Sequence, residues 1–233
     1  MITFNNKDMD NIAPVKIDDI IVSPIQLAPV ARQRAIKFGS DFVRIGGGVR
    51  TVTITFALLE MDIGERENML QDLRDWAYSE TEKTMQLPMF PTRHLECVCT
   101  AFPDTSYRKW WENKLRFEFT CFNNPYWTSN EQVEVATGTA FSIGGSAPPL
   151  ITIERTGSTK LTNQKFTTRT ESMTFTQIPA GSLVIDLNRQ TAQIGNTSIM
   201  QYYAPNSTWI KPKVGANQNI SGVGTIKYRE RWV

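Results

Sequence analysis

The side chains that enzymes use most often for acid-base chemistry are scarce in this chain. His94 is its only histidine, so a Ser-His-Asp triad or a multi-histidine zinc site would depend on that one residue. A catalytic base also needs a positioned nucleophile and an orienting acid, and the sequence around His94 signals neither. Asp186 and Glu154 stand alone rather than in the paired motif that glycoside hydrolysis requires. We therefore predict that the protein is not an enzyme and has no catalytic residues.

Three cysteines could in principle bind a metal ion. Cys97 and Cys99 lie two residues apart on a predicted strand, so both side chains point to one face, where Cys121 on a partner strand could meet them. Zinc ligands usually lie on a tight turn, and this spacing differs. An odd number of cysteines also gives no disulfide framework, as expected for a reducing compartment. We interpret all three as small apolar core residues and predict neither a metal site nor a cofactor.

A run of three glycines, Gly46-Gly47-Gly48, could form a phosphate cradle. Such a loop continues into Lys-Ser/Thr and then into a helix whose free amides hold the anion. Here Val49 and Arg50 follow, and the next predicted element is a strand. The glycines therefore predict a flexible turn that leads into this strand.

Five aromatic residues near the middle of the chain are candidate binding residues. They could stack on sugars or on a partner chain, and packing in the core explains about half of them. The others are better candidates for protein contacts than for a ligand. The set consists of Tyr107, Trp110, Trp111, Tyr126 and Trp127.

The first half of the chain predicts a sheet with one helix packed on it. Thr51 to Leu58 alternates apolar and threonine side chains, which is typical of a half-buried strand. A helix is predicted from about Ile63 to Tyr78, with Asp62 and Glu65 as a capping-box-like pair and one apolar stripe. Two long strands should follow, over Leu95 to Phe102 and Lys114 to Phe122.

A change of composition divides the chain. From Thr128 to Ala147 the large apolar residues become rare, and residues 144–149 read as turn and linker chemistry. Beyond them lie short extended segments, including Thr208 to Lys211 and a final strand from Thr225 to Val233. The prediction is a mainly β protein: an α+β domain with one helix at residues 1–130, and an antiparallel β-sandwich at residues 131–233.

The bulk composition argues against two classes of partner. The 233 residues carry a formal net charge of +2 with both signs mixed along the chain, unlike a basic nucleic-acid-binding domain. The N-terminus lacks the basic flank and apolar core of a signal peptide, and no apolar run is long enough to cross a bilayer. We expect a protein made in a cytosol, with no membrane partner and no DNA held by charge.

The order of these features resembles the distal tail (Dit) proteins of long-tailed siphophages and related prophages. The likeness covers nearly the whole chain and lies in fold-pattern positions rather than in a catalytic signature. It is carried by Arg44-x-Gly46 and the glycine turn before Arg50-Thr51-Val52-Thr53-Ile54, Leu70-x-x-Leu73-x-x-Trp76, Phe119-x-x-Phe122-Asn123-Asn124-Pro125-Tyr126-Trp127, Gly144 to Pro149 before Gly181 to Leu187, and the closing Ile226 to Trp232.

This resemblance implies an N-terminal belt domain that assembles into a hexameric ring and a galectin-like C-terminal sandwich. The ring would join the tail tube to the baseplate at the tail tip of a virion assembled in the host bacterial cytoplasm. Its implied partners are the tail tube protein on one face and the tail-associated lysin, or hub protein, on the other, with a receptor-binding protein as a further candidate. DNA would pass through the channel without being specifically bound.

An alternative is a carbohydrate-binding, lectin-like module for adsorption to the host cell wall. It rests on Trp209, Tyr202 and Tyr203 of the second domain. Galectin-type sites use histidine together with arginine, asparagine and tryptophan on one sheet face, and the second domain contains no histidine. The structural role is therefore the favoured hypothesis.

Overall fold

The computed structural model describes residues 1–12, 15–26, 29–33, 40–45, 48–57, 63–103, 114–211 and 213–233. Strands dominate this part of the chain, and it contains a single α-helix, which confirms the predicted mainly β fold class. The residues form two compact units. One consists of Met1–Trp127 together with Val233, and the other of Thr128–Trp232.

The first unit is an antiparallel sheet with one long helix in its sequence. Helix α1 (Ile63–Ala77) lies between the sixth and seventh strands. The strands are β1 (Thr3–Phe4), β2 (Lys7–Asp8), β3 (Lys16–Val22), β4 (Pro29–Gln33), β5 (Ser40–Ile45), β6 (Arg50–Ala57), β7 (Lys83–Gln86), β8 (Arg93–Ala101) and β9 (Lys114–Cys121). They pair in the order β2-β1-β7-β8-β9-β6-β3, while β4 pairs with β5. A further strand, β10 (Trp127–Ser129), lies where the two units join in the sequence.

Strand β6 forms for the reason that its alternation predicts. Val52, Ile54 and Phe56 are fully buried on one face, while Thr51 and Thr55 are half-buried on the other. The neighbouring β9 continues the buried face, since its apolar residues stand in register with those of β6. The predicted strand is thus confirmed, with Leu58 outside the described residues.

Helix α1 also confirms its prediction. Leu73, Trp76 and Ala77 are buried on its apolar stripe, and Trp76 contacts Phe4 and Phe119 with ring centroids 5.8 and 6.1 Å apart. The Nε1 of Trp76 donates a hydrogen bond to the carbonyl oxygen of Lys7. The indole therefore fixes the helix to the N-terminal strands. The predicted cap at Asp62 lies outside the described residues.

The second unit is built from antiparallel strands without an α-helix among its described residues. These strands are β11 (Val133–Ala136), β12 (Phe141–Ile143), β13 (Ala147–Gly157), β14 (Leu161–Thr167), β15 (Ser172–Ile178), β16 (Gly181–Asp186), β17 (Thr191–Ile194), β18 (Thr197–Ser198), β19 (Gly215–Gln218) and β20 (Thr225–Trp232). The main sheet has the order β18-β17-β16-β13-β20-β11, and β12-β19 and β14-β15 form separate pairs. One hydrophobic core includes Ile153, Phe166, Phe175 and Ile226.

Two local predictions for this unit are wrong. Residues 144–149, predicted as turn and linker, run into β13, which begins at Ala147. The preceding stretch, where large apolar residues are rare, also contains β11 and β12, and Phe141 and Ile143 of β12 enter the core. Strand β13 even includes Pro148 and Pro149, which fall where its register with β20 shifts, a position that tolerates the missing amides. No strand spans Thr208 to Lys211, because this segment reaches the core as a loop.

Candidate interface in the first unit

The predicted contact aromatics occupy different places. Tyr107, Trp110 and Trp111 lie outside the described residues. Tyr126 is half-buried, and Trp127 is only 4% exposed. The Trp127 ring packs edge-on against Phe90, with centroids 4.8 Å apart. Trp127 therefore packs within its own chain.

A buried cation accompanies this indole. Arg50 is 3% exposed, and its Cζ lies 6.0 Å from the centre of the Trp127 ring. Its Nε and Nη1 atoms are buried without a hydrogen-bond partner. Burial lowers the pKa of Arg50, while Cys121 and Tyr126 act in the opposite direction. Sequence analysis missed this residue, although the alternation of Arg50, Val52, Ile54 and Phe56 already places it on the buried face.

A carboxylate fixes the turn that follows β9. Glu82 accepts hydrogen bonds from the backbone amides of Phe122 and Asn123 and from the side-chain amide of Asn123. The neighbouring Asn124 donates to Glu96 at 3.4 Å. The paired asparagines therefore form a turn that is held by carboxylates from the β7 and β8 region. No local pattern signals Glu82, because its partners lie 40 and 41 residues away.

Exposed apolar side chains are concentrated in the first unit. Phe122 is 51% exposed directly beside the Glu82 turn, and Met89 and Phe90 are exposed in the loop after β7. Across the described residues of both units, Val214 is the one exposed large hydrophobic residue that belongs to the second. The first unit contributes Met1, Ile21, Tyr78, Met89, Phe90, Phe102, Phe122 and Val233. This arrangement suits contact with another protein chain.

The sheet also ends in an available edge. Strand β3 has β6 as its one partner strand within the described ranges. It carries Asp18 and Asp19, and Ile21 is exposed on it. Charged residues on an edge discourage indiscriminate pairing, while the free backbone groups permit pairing with a specific partner.

The threonine face of this sheet carries charges of both signs in pairs. Arg116 and Glu118 lie 3.8 Å apart, and Lys114 reaches Asp18 on β3 at 2.7 Å. Thr53 and Thr120 are buried among them, and the hydroxyl of Thr120 lies 2.8 Å from that of Thr100. This face is therefore polar without a positive patch in its described part.

The cysteines are free thiols. Cys97 and Cys121 are buried, and Cys99 is half-buried with its thiol 3.5 Å from the carbonyl oxygen of Ala101. In the ranges described, no three His, Cys, Asp or Glu side chains are placed to hold a metal ion. The same ranges contain no helix long and apolar enough to span a membrane.

The chain is similar to known proteins in structure but not detectably in sequence. No family model matches the chain, and no curated protein matches it significantly. The Dit protein of phage SPP1, described as a paradigm of the hub adsorption apparatus in phages that infect Gram-positive bacteria, matches with a TM-score of 0.74 at 14% identity. The match covers 100% of this chain and 98% of the SPP1 protein. The chain has the Dit fold.

A chain of the phage P2 baseplate in its activated conformation with Ca is also similar, with a TM-score of 0.50 at 11% identity. That match covers 97% of this chain and 93% of the baseplate chain. These identities are too low to carry more than the fold, and they confirm the resemblance that the order of motifs predicted.

Within the Dit fold, the aromatic residues of the lectin hypothesis are poorly placed for stacking on a sugar. Trp209 is 9% exposed, and its Nε1 donates to the carbonyl oxygen of Leu187. Its ring packs on Tyr203, which in turn packs on Phe175. Trp209 therefore belongs to the core of the second unit and is poorly placed to stack on a sugar.

Proposed function

We propose that this protein is a structural virion component: a distal tail protein that forms a ring joining the phage tail tube to the baseplate at the tail tip. The ring leaves a channel for DNA, and the virion is assembled in the host bacterial cytoplasm. The likeness to the SPP1 Dit protein over the full chain supports this function.

The observation that carries the proposal is the uneven exposure of apolar side chains. Among its described residues the first unit exposes Phe122 and seven other large apolar side chains, and a neighbouring copy would cover such residues. Head-to-tail contacts around a closed ring bury such surfaces in every copy. The first unit would therefore act as the belt of a hexamer, while the second forms the galectin-like domain.

The partners follow from the same proposal. One ring face binds the tail tube protein, the other binds the tail-associated lysin or hub protein, and a receptor-binding protein is a further candidate. The paired charges of the threonine face support passage of DNA without specific binding, because they leave little net positive potential. The protein acts without catalysis or a cofactor.

Light scattering of the whole protein at micromolar concentration tests this function. The measurement is made on the protein alone and after mixing with the tail tube and tail lysin proteins encoded beside it. We expect a ring of about six chains of 26.4 kDa, which the partners help to close. A chain that stays monomeric in every mixture would contradict the proposal.

A further inference from the structure

Two cysteines of the first unit face each other across neighbouring strands. The β8-β9 ladder pairs Val98 with Thr120, so its next step places Cys97 opposite Cys121. Both residues are completely buried. Cys99 differs, because its cross-strand partner is Phe119.

This position matches the geometry of a disulfide. Directly opposed residues of an antiparallel pair have Cα atoms about 4.5–5.5 Å apart. Disulfides join residues with Cα atoms about 4.4–6.8 Å apart, so the two thiols can be linked with little backbone movement. The sulfur of Met85 lies 3.9 Å from that of Cys97 and closes the pocket on one side.

We propose that Cys97 and Cys121 form a specific intrachain cross-link site, which a small-molecule disulfide such as oxidised glutathione converts into a disulfide. A thiolate is the attacking species in such an exchange. Either cysteine of the pair can make the first attack.

The cross-link forms in two successive thiol–disulfide exchanges. The thiolate of one cysteine attacks one sulfur of oxidised glutathione, forming a mixed disulfide and releasing one glutathione thiolate, which takes up a proton. The other cysteine then loses its proton to solvent and attacks the protein sulfur of this mixed disulfide, and the second glutathione leaves as a thiolate that takes up a proton. Two electrons pass from the protein thiols to oxidised glutathione, which becomes two molecules of reduced glutathione.

Burial determines when this reaction can occur. Burial raises the pKa of Cys97, and the nearby Cys121 acts in the same direction, so the closed sheet resists oxidation. The exchange therefore takes place while the chain folds or while this end of the sheet is open. Once formed, the bond should stabilise the first unit by restricting its unfolded chain.

Refolding in a glutathione redox buffer provides the test. The whole protein is unfolded in denaturant and refolded with either reduced or oxidised glutathione in excess, and its remaining thiols are alkylated and counted by mass spectrometry. We expect three alkylated cysteines under reducing conditions and one, Cys99, under oxidising conditions. The melting temperature of the oxidised protein should be higher by about 5 °C or more.

Three single variants locate the bond. Cys99→Ser should still form it, whereas Cys97→Ser and Cys121→Ser should not, and peptide mapping of the unmodified sequence gives the same assignment without any variant. Three free thiols after oxidising refolding, a bond to Cys99, or a lower melting temperature in the oxidised form would overturn the proposal. Disulfide formation is measured on the refolded chain and does not require ring assembly, so this test is separate from the test of the proposed function.

Discussion

The two units of this chain differ in how completely each covers its own apolar side chains. In the first, a cluster of aromatic rings around Trp76 is buried between helix and sheet, yet Phe122, Met89 and other large residues remain exposed. In the second, short strands enclose one core, and Val214 is the one exposed large hydrophobic residue among those described. The described part of the second unit thus encloses most of its large apolar side chains, whereas the first leaves several of them exposed.

The largest expected effect separates the stabilities of the two units. Trp76→Ala removes the ring that packs on Phe4, Phe56 and Phe119, so the free energy of unfolding of the first unit should fall by about 3–5 kcal/mol. Differential scanning calorimetry measures this change. In the control Trp209→Ala, the transition of the second unit should fall instead. Equal shifts of both transitions in either variant would contradict the division into separate units.

The next effect concerns association. Phe122→Asp places a charge on a phenylalanine that is 51% exposed in the first unit and should raise the concentration needed for assembly at least tenfold, about 1.4 kcal/mol. Val214→Asp makes the same change at a residue that is 39% exposed in the second unit and should leave assembly unchanged. Light scattering across a dilution series distinguishes them, and equal weakening by both variants would show that exposure alone does not locate the interface.

A smaller effect is expected at the turn after β9. Glu82→Ala removes the acceptor for both backbone amides and should lower the free energy of unfolding of the first unit by about 1–2 kcal/mol. Glu80→Ala, at an exposed residue two positions earlier, is the matched control and should have almost no effect. Urea denaturation gives both values. Similar values for the two variants would mean that the turn does not depend on this carboxylate.

The smallest effect is the alkaline pH dependence that Cys99 contributes to the first unit. Burial raises the pKa of Cys99 to about 12, whereas an unfolded thiol titrates near pH 8.5. Since the unfolded chain releases this proton first, stability is lost as the pH rises from about 9 toward 12. Solvent screens this half-buried thiol, so we expect less than about 1 kcal/mol per pH unit.

Urea denaturation of Cys99→Ala and of the unmodified protein isolates this contribution. The measurements span pH 8 to pH 10.5, about the range where an unfolded thiol titrates. The variant should lose less stability over that interval. Parallel profiles would show that Cys99 does not hold its proton more tightly in the folded state.

Sequence periodicity predicted the elements that bury one clear face. The helix and strands β6, β8 and β9 are long enough to show several repeats of the hydrophobic period, so each could be recognised from its alternation or its helical stripe. The two-residue strands β1 and β2 were missed, because no period can be read from two residues. Strands β11 and β12 were not predicted, because few large side chains mark them.

The candidate site was less predictable for a related reason. Trp127 was recognised by its type, but its burial depends on Phe90 and Arg50, which are distant in sequence. Glu82 carries no local signal, since its role depends on a turn 40 residues away. Residue type therefore identified candidates, whereas contacts between distant segments decided which of them stay exposed.

The hydrogen bonds at Glu82 have a mechanical consequence. They attach the chain to the start of β7 at the point where it leaves β9, just before Pro125. Tension applied to the chain beyond this turn would load these bonds before it reached the β8-β9 ladder. The carboxylate therefore fastens this end of β9 in addition to the ladder hydrogen bonds that β9 makes with β6 and β8.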